Sequence, residues 1–359
     1  MSTILLTGYP GFLGSALLPL ALARRPWATA VCLVQDRHLA AAEARLAVQT
    51  EQNPDIAGRV RLVEGDITVP GLGLNETELA DVREVFHLAA VYDLAVGAAM
   101  ARKVNVDGTR NVLDVCERMP NLTRLQYVST CYVSGRFPGV FREEDLDVGQ
   151  VHQNFYEETK FGAEVLVRER MATGLPATIY RPGVVVGDSR TGETQKFDGP
   201  YYAAHLLKSQ PKQAAMPRIG DPDKVVFSMV PRDFVISGLD ELSVMDKSLG
   251  KTYQLTDPNP PTVREMVTTF AALLDRKVTW VPVPLRLGHA VVGLPGVEHF
   301  IGVPEETLDY MAFPTRYDTS NVSADLEGTG LVCPSFAEYA PNLISYFVEH
   351  PEISPDAMV

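Results

Sequence analysis

The sequence has little of what marks several protein classes. Only four cysteines occur in 359 residues, Cys32, Cys116, Cys131 and Cys333, widely spaced and with no C-x-x-C pair. That spacing argues against a disulfide framework and a structural zinc site, and fits reduced thiols in a cytoplasmic protein. Basic charge is in deficit: 32 Lys and Arg face 45 Asp and Glu, for a formal net charge of −13. Nucleic-acid binding needs a basic footprint, so no nucleic-acid partner is expected. The seven histidines form no ligand cluster, and no metal is expected. No uninterrupted apolar run reaches the length of a membrane span. FLGSALLPLALARR (12–25) has the apolar character of a signal peptide, but no basic segment precedes it and glycines punctuate it.

What is present suits a globular enzyme. Hydrophobic residues make up 46% of the chain, with 27 glycines and 26 prolines. A large core is affordable, in one large domain with an appended lobe or in two domains.

The first thirty residues carry a strand, a glycine turn and a helix: TILL (3–6), TGYPGFLG (7–14) and SALLPLALARR (15–25). This is the context a dinucleotide site requires. Gly8 permits the tight turn, Gly11 lets the backbone approach a pyrophosphate, and Gly14 lets the helix pack close to the strand. Tyr9, Phe12 and Leu13 complete the loop, whose helix N-terminus offers unpaired N–H groups to phosphates. Pro10 removes one donor from it.

More strands follow. ATAVCLVQDR ends near Gln35, where an acid would bind a ribose diol and an arginine a 2′-phosphate. Gln35 is neither, and Asp36 and Arg37 behind it pull in opposite directions. A third strand (59–68) reaches Asp66 and Ile67. A fourth (84–93) ends in the small residues Ala89 and Ala90 after Leu88, which suit either a flat ring or close packing. Residues 104–118 form an amphipathic helix. A fifth strand (122–135) ends in the hydroxyls of Ser129 and Thr130. A sixth, PATIYRPGVVVGD (176–188), carries Pro182, Gly183, Val184 and Val185. Strands alternating with helices imply a parallel, doubly wound sheet of Rossmann type, with ligands beyond the strand carboxyl ends. Gly11, Asp66, Ala89, Thr130 and Val184 share that address.

NFYEETKFGAEVL (154–166) sets Tyr156 four residues before Lys160, on one helical face. Alone, that pair is ordinary helix surface. After about residue 188 the texture turns proline-rich and irregular. The expected division is a Rossmann domain over 1–188 and a smaller, mixed substrate lobe over 189–359, with some segments returning to the Rossmann core. A helix over 262–276 starts at Thr262 as N-cap. The broken apolar stretch 284–306 reads first as lobe core; it also suits the wall of a lipophilic pocket or a membrane-surface contact.

In their order, TGxxGxxG (7–14), GDIT (65–68), HLAA (87–90), VNVDGT (104–109), VST (128–130), YxxxK (156–160) and YRPGVVVG (180–187) resemble the extended short-chain dehydrogenase/reductases. The resemblance covers about the first half of the chain. TGYPGFLG, VSTCYVSG and YRPGVVVGDSRTG are most similar to the thioester-reductase and fatty acyl-CoA reductase branch, the male-sterility-like proteins.

The resemblance implies roles. Tyr156 is the general acid/base, and Lys160 lowers its pKa and bonds the nicotinamide ribose. Thr130 holds the substrate carbonyl oxygen, with Ser129 as second choice. NADP(H) is favoured, with Arg37 standing in for the branch's arginine at the Gln35 position; NAD(H) stays open. The expected reaction is hydride reduction of an acyl thioester, as acyl-CoA or on a separate acyl carrier protein, or of the derived aldehyde. Alternatives are a hydroxysteroid-like ketone or secondary-alcohol dehydrogenase, a sugar-nucleotide epimerase, and a non-catalytic NADP sensor. The substrate is expected to be a lipophilic small-molecule carbonyl compound, and family habit adds a homodimer. Cys131 reads as a packed thiol and Asp233 as a structural turn residue.

Overall fold

A computed structural model describes residues 2–284, 309–311 and 315–354. The stretch 284–306 therefore lies, apart from Pro284, outside the described residues. Seven parallel strands make the main sheet: β1 (Ser2–Thr7), β2 (Ala28–Val34), β3 (Val60–Glu64), β4 (Val82–His87), β5 (Arg124–Val128), β7 (Ala177–Pro182) and β11 (Thr252–Leu255). Their spatial order is β3-β2-β1-β4-β5-β7-β11, so the order reverses between β1 and β4. A crevice for a ligand opens at such a switch point, beyond the carboxyl ends.

Alternation along the central strands fills both faces. Ile4 and Leu6 of β1, with Ala30, Cys32 and Val34 of β2, join a core completed by α1 (Phe12–Arg24) and α8 (Arg232–Ser243). Leu5, Val31 and Leu33 point the other way, into a core shared with α5 (Gly108–Arg118) and α6 (Phe155–Ala172). The period of two sends neighbouring side chains to opposite faces, which is why these strands are apolar throughout. The α2 helix (Leu39–Gln52) follows β2, and the short α3 (Glu76–Leu79) precedes β4.

Several boundaries differ from the sequence reading. The third, fourth and fifth strands are shorter than the expected 59–68, 84–93 and 122–135, because each stops where the chain leaves the sheet for the crevice. The expected sixth strand is two: β7 ends at Pro182, and β8 (Val184–Val186) leaves the sheet to pair with β10 (Met229–Pro231). Gly183 makes the break, since a Cβ there would lie 2.4 Å from the Ser228 carbonyl oxygen. The expected helix 104–118 begins earlier, as α4 (Ala98–Ala101), and passes through a π-turn over Arg102–Asp107 into α5. The two strands β6 (Gly139–Phe141) and β13 (Thr315–Tyr317) pair in parallel.

A third core lies almost wholly beyond residue 188. It is built from α7 (Tyr201–Lys208), α9 (Val263–Leu273) and α11 (Phe336–Glu349), backed by the parallel pair β9 (Gln213–Arg218) and β12 (Lys277–Pro282). Thr262 caps α9 in a reciprocal box with Glu265, as its sequence suggests. The main sheet also takes chain from beyond residue 188: α8 and β11 complete it, with α10 (Ser320–Leu326) against them. Among the described residues, no helix is long and apolar enough to cross a membrane.

Candidate active site

The glycine loop is a close-packed knot. Gly8 has φ +93°, and a Cβ on it would lie 2.8 Å from the Ala89 nitrogen of the loop after β4. A Cβ on Gly14 would stand 2.5 Å from the Gly8 carbonyl oxygen, and one on Gly11 2.8 Å from it. Tyr9 points away from the crevice: its side chain is buried and its hydroxyl donates to Gln49 Oε1 at 2.9 Å. Gln49 in turn donates from Nε2 to the Ser15 carbonyl at 2.5 Å. That carbonyl lacks its helical donor because Pro19, four residues on, has no N–H. One glutamine thus holds both the loop and the interrupted helix.

No side chain caps α1, and its first turn carries no acid. The N–H groups behind Gly11, at Phe12 and Leu13, therefore keep the partial positive charge that suits a pyrophosphate. The glycine cradle and the uncapped helix fit a dinucleotide.

The other rim residues surround this end of the sheet. Gln35 follows β2, and its Oε1 accepts from Arg37 Nε at 3.0 Å; Arg37 is exposed. Asp66 uses Oδ1 to accept from the Thr68 N–H at 2.7 Å, shaping the turn after β3. Ile67 is buried, and its carbonyl accepts from Asn111 Nδ2 at 2.8 Å. Leu88, Ala89 and Ala90 are half-buried after β4, with the Ala89 N–H donating to Thr7 Oγ1 at 3.2 Å. Pro182 is buried, while Gly183, Val184 and Val185 are half-buried at the opposite wall. Arg232 sits over the Phe12 ring at 4.9 Å.

The hydroxyl cluster lies at the end of β5. Helix α6 starts at Asn154, whose Oδ1 accepts from the Glu157 N–H at 3.0 Å. One turn in, the half-buried Tyr156 lies beside the Thr130 side chain, whose Oγ1 accepts from the Tyr132 N–H at 3.2 Å. Burial pushes the Tyr156 phenol well above its ordinary range, and the nearby Thr130 side chain offsets this only in part. The lowering expected from Lys160 is therefore not what governs this phenol. Lys160 is buried, and its Nζ donates to the Val128 carbonyl at 2.8 Å and the Tyr127 hydroxyl at 3.3 Å. Burial lowers the Lys160 pKa to about 8, against the pull of Glu164. Ser129 stands apart from this group: its hydroxyl donates to Glu164 Oε2 at 2.6 Å. Cys131 is fully buried, and burial raises its thiol to about 12. Asp233 accepts from the Ser189 N–H and hydroxyl, at 2.8 and 2.6 Å, tying α8 to the loop after β8.

Several residues here escape a reading of sequence alone. Asn105, inside the π-turn, exchanges bonds with the Val91 N–H and carbonyl at 2.9 and 3.0 Å and donates to Thr159 Oγ1 at 3.1 Å. It locks the loop after β4 to α6. Buried His87 bonds Thr7 Oγ1 through Nδ1 at 2.8 Å and Thr109 Oγ1 through Nε2 at 3.1 Å. HLAA and VNVDGT contain these residues, but their pairings span 80 and 22 positions and leave no local signal. No cluster of three or more potential metal ligands occurs among the described residues.

Known proteins share this fold. The terminal R domain from the myxalamid PKS-NRPS biosynthetic pathway superposes with a TM-score of 0.80 at 29% identity, covering 98% of this chain and 92% of that one. Nonribosomal peptide synthetase asaC of Aspergillus flavus is 27% identical over 76% of this chain. Fatty acyl-CoA reductase wat of Drosophila melanogaster is 27% identical over 66% of it. The aligned region spans only 28% and 53% of those two relatives' lengths. The family model described as male sterility protein matches residues 6–239, more than half of the chain: the chain belongs to the male sterility protein family.

Proposed function

We propose that this chain reduces an acyl thioester to an aldehyde with NADPH, using Tyr156 as proton donor and Thr130 as its partner on the substrate oxygen. The observation that carries this reading is the grouping of Tyr156, Thr130 and Lys160 at the carboxyl end of β5, where Lys160 Nζ donates to the Val128 carbonyl at 2.8 Å. A phenol pushed upward by burial stays protonated at neutral pH. That is the state a reduction needs, because the developing oxyanion must be given a proton. The expected lowering would have favoured the reverse reaction.

Bound dinucleotide supplies the hydride. The pyrophosphate would lie on the N-terminus of α1, and Lys160 would reach the nicotinamide ribose. Thr130 and Tyr156 hold the carbonyl oxygen, and Tyr156 passes its proton to it as the thiohemiacetal forms. The C–S bond then breaks, the carbonyl re-forms, and the thiol leaves carrying the hydroxyl proton. One hydride and one proton convert the thioester to aldehyde and thiol.

The relatives include a nonribosomal peptide synthetase and an acyl-CoA reductase, so the thioester would arrive on a separate carrier protein or as acyl-CoA. The lobe beyond residue 188 would bind it. Arg37, steadied by Gln35, would accept the 2′-phosphate of NADPH.

The test is oxidation of NADPH and NADH with a panel of acyl-CoAs, carrier-bound acyl thioesters, aldehydes and ketones. Loss of reduced cofactor with stoichiometric free thiol supports the proposal. Turnover of aldehydes or ketones alone, or tight cofactor binding without turnover, overturns it.

A further inference from the structure

We propose that Tyr127 is a positioning residue for Lys160, holding the ammonium at the end of β5 through its hydroxyl and its ring, and itself held by Thr109 and His87. The inference rests on the reductase reading above for its catalytic meaning, and on geometry for the contact itself.

Lys160 meets Tyr127 twice. Its Nζ donates to the phenol oxygen at 3.3 Å and lies 4.8 Å from the ring centroid. Both contacts favour the charged amine, the second through the ring's negative face. An ammonium has three N–H donors. Val128 O and Tyr127 Oη take two, which leaves one for a ribose hydroxyl or for Tyr156. Tyr127 is itself fully buried, with the Thr109 side chain beside its phenol. Thr109 bonds His87, and His87 bonds Thr7, which receives the Ala89 N–H. A continuous polar chain thus runs from the glycine-loop side of the sheet, through β4 and α5, to the lysine on α6. His87 stacks obliquely on Tyr127, with centroids 5.7 Å apart, so the phenol is fixed on its face as well as at its oxygen.

The charged and titratable groups facing Lys160 can be named element by element. Tyr127 comes from β5. His87 comes from β4; burial and then the Lys160 charge hold it down to about 3, so it stays neutral. Glu164 comes from α6 itself and is paired with Arg181 of β7, while Tyr156, also on α6, acts on Tyr127. The ammonium is therefore held in a mostly neutral surround, and losing one oxygen acceptor favours its deprotonation.

The experiment is a carbon-13 titration of lysine-labelled full-length protein, with Lys160 assigned by loss of its signal in Lys160→Met, alongside kcat–pH profiles. In the wild type the Lys160 signal is expected to titrate at about 8, lowered by burial. In Tyr127→Phe the ring stays and the hydroxyl goes, and the titration falls by about one pH unit, taking the alkaline limb of kcat with it. Thr109→Val lets the phenol turn away and gives a smaller fall, while Thr109→Ser leaves the value in place. This pair carries the test if Tyr127→Phe does not fold. An unchanged Lys160 titration in Tyr127→Phe, or in Thr109→Val should the first not fold, overturns the inference. If the titration moves but the wild type reduces no thioester, the positioning stands and the functional reading fails.

Discussion

The Ser129 hydroxyl donates to Glu164 Oε2 at 2.6 Å, inside the protein. Its neighbour Thr130 instead lies beside the Tyr156 phenol. Two adjacent hydroxyls at one strand end thus face different tasks, one beneath the crevice and one within it. Removing Ser129 takes a donor from a buried carboxylate that Arg181 and Arg168 still serve, so Ser129→Ala should cost about 1–3 kcal/mol of stability while kcat stays near wild type. Thr130→Val keeps the shape and should lower kcat about 10²-fold with little loss of stability. Chemical denaturation and steady-state kinetics on both variants check the division. Equal kinetic losses would mean that Ser129 also reaches the substrate.

Tyr156→Phe removes the only proton that the proposed mechanism sends to the oxyanion. The expected loss in kcat is about 10²–10⁴-fold, with the dissociation constant for NADPH within a few-fold of wild type. Fluorescence titration of the cofactor beside turnover assays separates the two effects. A variant that keeps most of its activity would move the acid to another group.

How much was legible in the sequence depends on the range of each interaction. The glycine loop, the central parallel strands and the Tyr156–Lys160 face are local patterns of period two or near four, and they read directly. The ends of strands did not. Gly183 breaks the sixth strand only because Ser228, far along the chain, occupies the space its side chain would need. The pairing of Ser129 with Glu164 joins residues 35 positions apart, and nothing in VST separates its serine from its threonine. Lys160 was expected to lower the Tyr156 pKa; burial, a property of the whole packed site, raises it instead. Tyr9 shows the same limit: it lies in the glycine motif, yet Gln49 on the next helix draws its ring into the core.

Cofactor preference is testable at one exposed side chain. Arg37 is held by Gln35 rather than by a carboxylate, which leaves its guanidinium charge for a phosphate. Arg37→Ala should raise KM for NADPH about 10-fold or more and leave KM for NADH unchanged. A parallel rise for both cofactors would point to a loop effect and take Arg37 out of the 2′-phosphate site.

The Glu164–Arg181 pair sets an acid limit on stability. Both side chains are fully buried, and Arg181 Nη2 donates to Glu164 Oε1 at 2.7 Å. Burial alone would raise the Glu164 pKa, but the Arg181 charge and hydrogen bonds outweigh it, and the carboxyl is held below its ordinary value. A carboxylate depressed in the folded state contributes stability above its unfolded pKa, and that contribution is lost as pH falls through the folded value. Stability should therefore decline as the solution is taken below about pH 4.5, the ordinary glutamate range. Arg181→Met leaves Glu164 charged and buried beside Arg168 alone, and should destabilise at neutral pH by about 3–5 kcal/mol. The same change should flatten the acid decline, because without Arg181 the carboxyl no longer titrates below its unfolded value. Urea unfolding of wild type and Arg181→Met across the acid range measures both. A variant as acid-sensitive as the wild type would assign the acid limit to other carboxylates.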